Sequence, residues 1–243
     1  MSARGLSAIF FAAFAVFITF TLPITVVVSW FNLERLGVSY GRAEGTVWAG
    51  SVENVAWRGV SLGDVQFAFR PSALLLGRAS ISVEVDGSGA LAGGAIIERG
   101  MGKLFRVRDA VLTAQVDQLP VLVPVSGSVA LNIIEATFDT GGCRSVDADL
   151  QTDALARPSN GLDWAGPVLS GTASCVEGAV LIPLTGREGS EAVSLAMTLQ
   201  HDRTFNLRAS VNTGNDALAF MLGAIGFSIK GDAYTLVQNG RWG

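Results

Sequence analysis

Residues 193–211, VSLAMTLQHDRTFNLRASV, contain two segments with the same alternation of side chains. The alternating apolar positions are Val193, Leu195, Met197 and Leu199 in the first segment, and Phe205, Leu207, Ala209 and Val211 in the second. A period of two residues is typical of a β-strand with one buried face. The polar residues His201, Asp202 and Arg203 between the two segments predict the turn of a hairpin.

The same period of two recurs along much of the chain. The apolar positions of four further segments are Val65, Phe67 and Phe69; Ile81, Val83 and Val85; Leu112, Ala114 and Val116; and Val146, Ala148 and Leu150. Glycines lie singly or in pairs at the ends of such segments, which suits turns. The pattern predicts a mainly β domain and excludes a helical bundle or a βαβ fold.

Only two short helices are predicted beside the strands. Residues 70–77, RPSALLLG, allow a helix to begin at Pro71 and to stop at Gly77. Residues 215–226, NDALAFMLGAIG, predict a second helix with Asn215 as its N-cap. Since neither helix can cover a large sheet, we expect a curved, largely antiparallel sheet that forms an open trough, a partial barrel or a sandwich. Periodicity alone does not separate these three architectures.

The N-terminal segment Leu6–Phe31, LSAIFFAAFAVFITFTLPITVVVSWF, contains no ionisable side chain. About 20 apolar residues cross the roughly 30 Å hydrocarbon core of a bilayer, so the segment is long enough for a transmembrane helix, with Pro23 near its outer end. A cleaved signal peptide has a shorter apolar core, of about 7–15 residues. We therefore predict that residues 1–31 form a short cytoplasmic tail and an uncleaved transmembrane helix. Residues 32–243 are then one exported β-rich domain of a single-pass membrane protein.

The chain has two cysteines, Cys143 and Cys175, and they do not form a CxxC motif. They are too few for a zinc site. In an exported domain they could form one disulfide, which for a loop of this length would contribute on the order of 3–4 kcal/mol. Two buried, unpaired thiols are the alternative.

No convincing set of catalytic, cofactor-binding or metal-binding residues is found, because the single histidine, His201, lies in a predicted turn. Gly87, Gly89 and Ala92 have the spacing of a dinucleotide-binding motif. That motif needs a helix at its glycines, whereas β-like residues follow here, so a hairpin loop is the better interpretation. A pI near 5.0 argues against nucleic acid as the main partner.

Two charged clusters have both a functional and a structural interpretation. The first consists of three carboxylates, Asp147, Asp149 and Asp153. They suggest calcium, but they alternate with apolar residues and are better explained as the solvated face of a strand. The second consists of four basic residues, Arg99, Lys103, Arg106 and Arg108. They could contact lipid phosphates or an acidic partner, or simply occupy an exposed hairpin.

Residues 45–59, GTVWAGSVENVAWRG, hold Trp48 and Trp57, nine positions apart. On an unbroken strand the two rings would face opposite sides, which a turn or bulge between them would change. They lie too far along the chain from the apolar segment to be assigned to an interfacial aromatic belt, a role that Trp30 fits better. We interpret the stretch as the first β segment of the exported domain, with a tryptophan as its apolar anchor.

This stretch and three others resemble the type II secretion system protein N family, also called general secretion pathway component N. The similar elements are residues 45–50, GTVWAG; Arg70-Pro71 with Leu74-Leu75-Leu76-Gly77; residues 161–178, GLDWAGPVLSGTASCVEG; and residues 218–243, LAFMLGAIGFSIKGDAYTLVQNGRWG. Within them we expect structural roles for Gly45, Trp48, Gly50, Pro71, Gly77 and Trp164.

The resemblance implies an inner-membrane-anchored accessory subunit that supports export of folded proteins from the periplasm across the outer membrane. Its partners would be other inner-membrane or periplasmic subunits of the type II secretion system, and it would be neither an enzyme nor dependent on a cofactor. The opening motif is also similar to that of AsmA-like proteins. That second similarity implies, as the alternative, a lipid-binding or lipid-shielding periplasmic module with membrane lipid as its partner.

Overall fold

The computed structural model describes residues 10, 14, 17–18, 21–26, 35, 37–100, 102–118, 126–157 and 164–241. The predicted cytoplasmic tail and most of the predicted transmembrane helix, including Trp30, lie outside these residues. Among the residues that the structure does describe, no helix is both long enough and apolar enough to span a bilayer.

Fifteen strands in the described part of the chain form one antiparallel sheet. They are β1 (Val38–Ser39), β2 (Ala43–Gly45), β3 (Ala49–Trp57), β4 (Val60–Phe69), β5 (Arg78–Asp86), β6 (Leu91–Gly100), β7 (Phe105–Gln115), β8 (Ser128–Asp139), β9 (Gly142–Thr152), β10 (Leu169–Val176), β11 (Ala179–Glu188), β12 (Glu191–Leu199), β13 (Thr204–Asn212), β14 (Ser228–Lys230) and β15 (Ala233–Arg241). β1 and β2 both pair with β3. From β3 to β13 each strand pairs with the next, and β15 lies between β13 and β14.

The sheet is therefore an open meander, in which strands that follow each other along the chain are also neighbours in space. Short turns between consecutive strands favour this arrangement, because an antiparallel pair needs only a hairpin connection. The prediction of a mainly β, antiparallel domain is confirmed. The sandwich among the predicted architectures is wrong, since the described strands form a single sheet and none crosses into a second layer.

Cross-strand register sorts the side chains of the sheet into an apolar and a polar face. One apolar row crosses seven strands, from β3 to β9: Val52, Val65, Val85, Gly93, Leu112, Leu131 and Leu150. A second apolar row crosses β4 to β9: Phe69, Ile81, Ile97, Val107, Ala136 and Val146. A row on the opposite face is Gln66, Glu84, Gly94, Val111, Asn132 and Asp149. The alternation read from the sequence thus gives the two faces correctly.

Helix α1 (Pro71–Leu74) connects β4 to β5 and is shorter than the segment 70–77 predicted for it. Pro71 lies in its first turn, where a missing N–H costs nothing, and Gly77 adopts a φ of +69° as the chain turns into β5. None of the four helical residues is buried. The helix therefore adds nothing to the core.

Helix α2 (Asp216–Ala224) covers one end of the apolar face. Asn215 caps it as predicted, because its side-chain oxygen accepts a hydrogen bond of 3.1 Å from the Leu218 N–H. The buried core cluster combines two leucines of this helix with side chains of β10 to β13: Leu169, Leu184, Val193, Val211, Leu218 and Leu222. The best-covered core thus lies at the end of β10–β13 that carries the β11–β12 turn.

A bulge in β3 separates Trp48 from Trp57. The register of β3 against β4 shifts between Val52 and Val55, and Asn54 has a φ of +53°. The bulge was one of the two predicted possibilities and is confirmed. The stretch is not the first β segment of the domain, however, since β1 and β2 precede β3. Those two strands have only two and three residues, too few for a period of two to be visible.

Candidate functional site

The residues that were considered for catalysis or cofactor binding lie apart from one another. His201 is exposed in the turn between β12 and β13, as predicted. Gly87 and Gly89 lie in the hairpin turn between β5 and β6, and Ala92 belongs to β6. In the described ranges, no three His, Cys, Asp or Glu side chains are grouped so that they could hold a metal ion.

The three carboxylates of the first charged cluster have separate local roles. Asp147 and Asp149 are exposed on the polar face of β9, and Asp149 accepts a hydrogen bond of 2.9 Å from the Thr172 hydroxyl on β10. Asp153 follows the end of β9 and accepts from the Ser128 N–H at 2.6 Å and from Arg157 Nη2 at 2.8 Å. The carboxylates therefore stabilise strand pairing and a turn.

Among the residues that the structure describes, four aspartates have pKa values below the ordinary aspartate value, and each lies at a turn or at the end of a strand. The donors that lower these pKa values most are the Ser88 N–H for Asp86, the Gly141 N–H for Asp139, the Ser128 N–H for Asp153 and the Thr204 hydroxyl for Asp202. A hydrogen-bond donor stabilises the ionised carboxylate, which is why the pKa falls. In the described part of the chain, these carboxylates stabilise turns and strand ends.

The second charged cluster is divided between two places on the sheet. Arg106 Nε lies 3.2 Å from Glu135 Oε1, and Arg108 Nη1 lies 3.8 Å from Glu98 Oε1. Arg99 and Lys103 are exposed where β6 turns into β7. Arg106 and Arg108 therefore pair with Glu98 and Glu135 across neighbouring strands, whereas Arg99 and Lys103 form a small exposed basic group at the β6–β7 turn.

The two apolar rows from β3 to β9, which we call the apolar face, are the largest candidate interaction surface. Their large side chains, such as Val65, Ile81 and Leu131, remain only half-buried, whereas Leu184 and Val193 beneath α2 are buried. No charged residue interrupts either row. Covering apolar surface of this kind contributes roughly 25 cal/mol per Å². The face is therefore suited to an apolar partner.

A second candidate surface lies where the N-terminal segment meets the sheet. Pro23 forms an isolated β-bridge with Thr46, and the Val47 N–H donates to the Leu22 carbonyl at 3.1 Å. The next residue, Trp48, packs its ring 5.3 Å from that of Phe69 at the end of β4. These connections lie at one end of the strands. We call this end, with residues 46–48, 70–77 and 102–104, the Trp48 edge.

The position of Trp48 corrects its interpretation from the sequence. Distance along the chain suggested that Trp48 lay far from the apolar N-terminal segment. In the structure, however, the residue directly before it, Val47, forms a backbone hydrogen bond with Leu22. The chain returns to that segment because β2 and β3 form a hairpin whose turn contains Thr46 and Trp48. Trp57, by contrast, is 47% exposed and carries the Arg58 guanidinium 5.3 Å from its ring.

Glycines at positions 45 and 50 allow the hairpin that presents Trp48. The two residues face each other across β2 and β3. A Cβ on Gly50 would lie 2.4 Å from the Glu44 carbonyl oxygen, and one on Gly45 would lie 2.5 Å from that of Ala49. Gly45 also has a φ of +100°, which other residues rarely adopt. The absence of a side chain at these two positions therefore allows the close pairing of β2 and β3.

Three leucines protrude from the same edge. Leu74, Leu75 and Leu76 are 48%, 89% and 69% exposed, and we call them the leucine tip. Burying a leucine side chain is worth about 1.5–3 kcal/mol relative to leaving it in water, so this exposure is costly. From the sequence, these residues were assigned to a family motif and to a short helix, and their exposure was not predicted. The signal was present, since three successive leucines in the short segment predicted at 70–77 cannot all face a core.

Trp164 is partly buried and packs against the core cluster. Its indole N–H donates to a carboxylate oxygen of Glu191 on β12, and the other oxygen of Glu191 accepts from the Thr213 hydroxyl at 2.9 Å. The ring packs against the core cluster and over Gly166, where a Cβ would lie 2.3 Å from Trp164 Cη2. Trp164 therefore ties the segment before β10 to β12 and to the end of β13.

Cys143 and Cys175 form a disulfide with a Cα–Cα distance of 5.6 Å. The ladder between β9 and β10 runs from Thr152 to the pair Ala148 and Ala173, and the two cysteines lie beyond that pair. The disulfide therefore joins β9 and β10 just beyond the last paired residues of the two strands. Of the two alternatives left open by the sequence, the structure shows the disulfide and not the unpaired thiols.

Comparison with known proteins gives consistent similarities. The family model described as Type II secretion system (T2SS), protein N matches residues 36–237. The chain is 27% identical over 214 residues to Type II secretion system protein N of Pectobacterium carotovorum subsp. carotovorum, with 84% of each chain covered. It is 27% identical over 198 residues to the protein of that name from Vibrio cholerae serotype O1, covering 77% of each, and 30% identical over 154 residues to that of Klebsiella pneumoniae, covering 59% of this chain and 58% of that one. No solved structure matches.

Proposed function

Because the chain belongs to the type II secretion system protein N family, we propose that it is an accessory subunit of that system, anchored in the inner membrane. Residues 1–31 contain a short cytoplasmic tail and the apolar transmembrane segment, whose helix is interrupted at Leu22 and Pro23, and residues 32–243 form the periplasmic domain. The domain supports export of folded proteins across the outer membrane by contacting other subunits. Proteins of this family are accessory secretion components and are not known as enzymes.

Two features of the chain support the periplasmic assignment. The segment Leu6–Phe31 contains no ionisable side chain and has the length of a bilayer crossing. The bond between Cys143 and Cys175 suits an oxidising compartment such as the periplasm, since cytosolic thiols are kept reduced.

The observation that carries the proposed contact is the half-buried, uncharged apolar face between β3 and β9. An interaction subunit needs a surface that a partner can cover, and this face offers two rows that consist mainly of Val, Leu, Ile and Phe side chains, with Gly93 in one row and Ala136 in the other. We propose that an apolar segment of another subunit of the secretion system covers it. The opposite face, with Glu84, Asn132 and Asp149, remains in water.

Neighbouring residues on β8 provide a matched test of this contact, because Leu131 belongs to the apolar face and Asn132 to the polar face. A photo-crosslinking amino acid is placed at each position of the full chain, in cells that carry the complete secretion system. We expect an adduct with an identified secretion subunit from position 131 and none from position 132. Adducts from neither position, or equally from both, would contradict the contact.

The proposed role in secretion is tested by deletion and complementation. Cells without this chain should retain folded exoproteins in the periplasm, and the full chain should restore their release. Normal secretion by the deletion strain, with the other subunits intact, would refute the role.

Alkaline carbonate extraction of membranes tests the anchor, since a chain held by a transmembrane helix stays in the membrane pellet.

A second candidate function is lipid binding along the same apolar face. The favouring observation is that the two rows form an uncharged strip across seven strands, which could hold an acyl chain. Native mass spectrometry of the full chain released from detergent tests it. Stoichiometric phospholipid that is lost in a Leu131→Glu variant, but kept in Asn132→Glu, would favour this function over a protein contact.

A further inference from the structure

The leucine tip is exposed without any role in the fold of the described residues. Leu75 and Leu76 are the most exposed of the three leucines, and no residue of α1 is buried. The backbone around the tip is held independently of these side chains: the Arg70 N–H donates to the Ser80 carbonyl at 2.8 Å, and the Gly77 N–H donates to the Leu74 carbonyl at 2.9 Å. The fold thus presents the three leucines on a fixed loop.

The tip lies on the same edge of the sheet as the entry of the N-terminal apolar segment. The contacts run from the Leu22 carbonyl to the Val47 N–H, and from Trp48 to Phe69, whose N–H donates to the Trp48 carbonyl at 2.6 Å. Phe69 is followed directly by Arg70 and α1. If the N-terminal segment crosses a bilayer, the Trp48 edge is the part of the domain that comes closest to the surface of that bilayer.

The charge around the tip is complementary to a phospholipid surface. Residues 65–83 contain no Asp or Glu, and neither do residues 99–108. The exposed basic residues of these two segments near the edge are Arg70, Arg78, Arg99 and Lys103. Arginine and lysine can keep their charged groups at the level of the lipid phosphates while neighbouring apolar side chains enter the acyl region.

We propose that the leucine tip inserts into the periplasmic leaflet of the same membrane that holds the N-terminal anchor, with the basic residues of the edge at its phosphates. The inference rests on the proposed anchor and adds a second point of attachment. Attachment through the N-terminal segment alone leaves the domain able to tilt on the membrane, whereas a second contact at the leucine tip restricts that tilt. The β5–β6 and β11–β12 turns on the opposite edge then point away from the membrane.

The test uses the full chain reconstituted in vesicles of phosphatidylethanolamine and phosphatidylglycerol. A single added thiol, Leu75→Cys, carries an environment-sensitive fluorophore, and Ser190→Cys in the β11–β12 turn is the matched control on the opposite edge. We expect blue-shifted emission from position 75 that is quenched by nitroxide-labelled lipid. Position 190 should show an unshifted spectrum and no quenching.

Carbonate extraction of the same vesicles separates failure of this inference from failure of the anchor. A chain that is extracted contradicts the proposed anchor and the insertion together. A chain that stays in the vesicles while position 75 has the same emission as position 190 contradicts the insertion alone. Emission from position 75 that shifts only when another secretion subunit is added would also overturn it, because the tip would then contact protein.

A variant of the tip gives a second measurement. Since α1 has no buried residue, the combined changes Leu74→Ser, Leu75→Ser and Leu76→Ser should leave the melting temperature unchanged. A fluorophore at Ala73→Cys in this triple variant should not be quenched by nitroxide-labelled lipid. The same label should be quenched in the chain that keeps the three leucines. Unchanged quenching at position 73 would mean that the leucines do not insert.

Discussion

Trp48 and Phe69 pack with their ring centroids 5.3 Å apart, and this contact joins the β2–β3 hairpin to the end of β4. We expect Trp48→Ala to lower the free energy of unfolding by about 1–3 kcal/mol, because it removes a large ring that is only partly buried. Trp48→Phe should retain most of the stability. Denaturation of the full chain in detergent measures both, and an unchanged midpoint for Trp48→Ala would show that the ring does not support the fold.

The close approach of Gly50 to the Glu44 carbonyl oxygen predicts a strict requirement for glycine. Gly50→Ala should lower stability by about 1–3 kcal/mol, because its Cβ would lie 2.4 Å from that oxygen and the hairpin would have to open. Gly100 is the control, since a Cβ there meets no atom within 4 Å. Equal melting temperatures for Gly50→Ala and Gly100→Ala would contradict the packing argument.

The disulfide between Cys143 and Cys175 should stabilise the domain chiefly by restricting the unfolded chain. For a sequence separation of 32 residues, its loss is expected to cost about 3–4 kcal/mol. A double variant, Cys143→Ser with Cys175→Ser, should melt like the reduced wild-type protein and should not respond to a reductant. A reductant that leaves the wild-type midpoint unchanged would argue against the bond.

Acid should destabilise the hairpin turns. Asp86, Asp139, Asp153 and Asp202 have lowered pKa values in the folded chain, so their ionised forms stabilise it. That contribution is fully present above the unfolded pKa, near 4, and is lost as the pH falls through the lower folded pKa values. Urea midpoints should therefore decline below about pH 4, and less steeply for Asp153→Asn. An Asp153→Asn variant with the wild-type slope would remove this carboxylate from the explanation.

Residue patterns in the sequence were sufficient to predict six of the strands and the faces on which their side chains lie. The alternation at 65–69 and 146–150 placed those residues on the face where the structure has them. Asn215 as a cap and the turn at 201–203 were also predicted correctly, since both depend on neighbours within a few residues. The strands β1 and β2 were not predicted, because they are too short to show a period of two.

The candidate surfaces could not be predicted in the same way. Whether Leu75 lies in a core or in water depends on what packs over α1, and no local pattern encodes that. The nearness of Trp48 to Leu22 depends on a hairpin that returns the chain to a segment more than twenty residues earlier. Trp164 was recognised as a motif residue, but its hydrogen bond to Glu191 joins positions far apart along the chain.

By itself, the sequence determined the alternation of side chains in six strands, the cap of α2 and the family motifs, because each depends on the order of nearby residues. Only the tertiary structure decided that the strands form one open sheet rather than a sandwich, that part of the apolar face stays half-buried, and that the leucine tip shares an edge with the N-terminal segment. The physical reason is that a period of two tells which side chains share a face. It carries no information on what, if anything, covers that face.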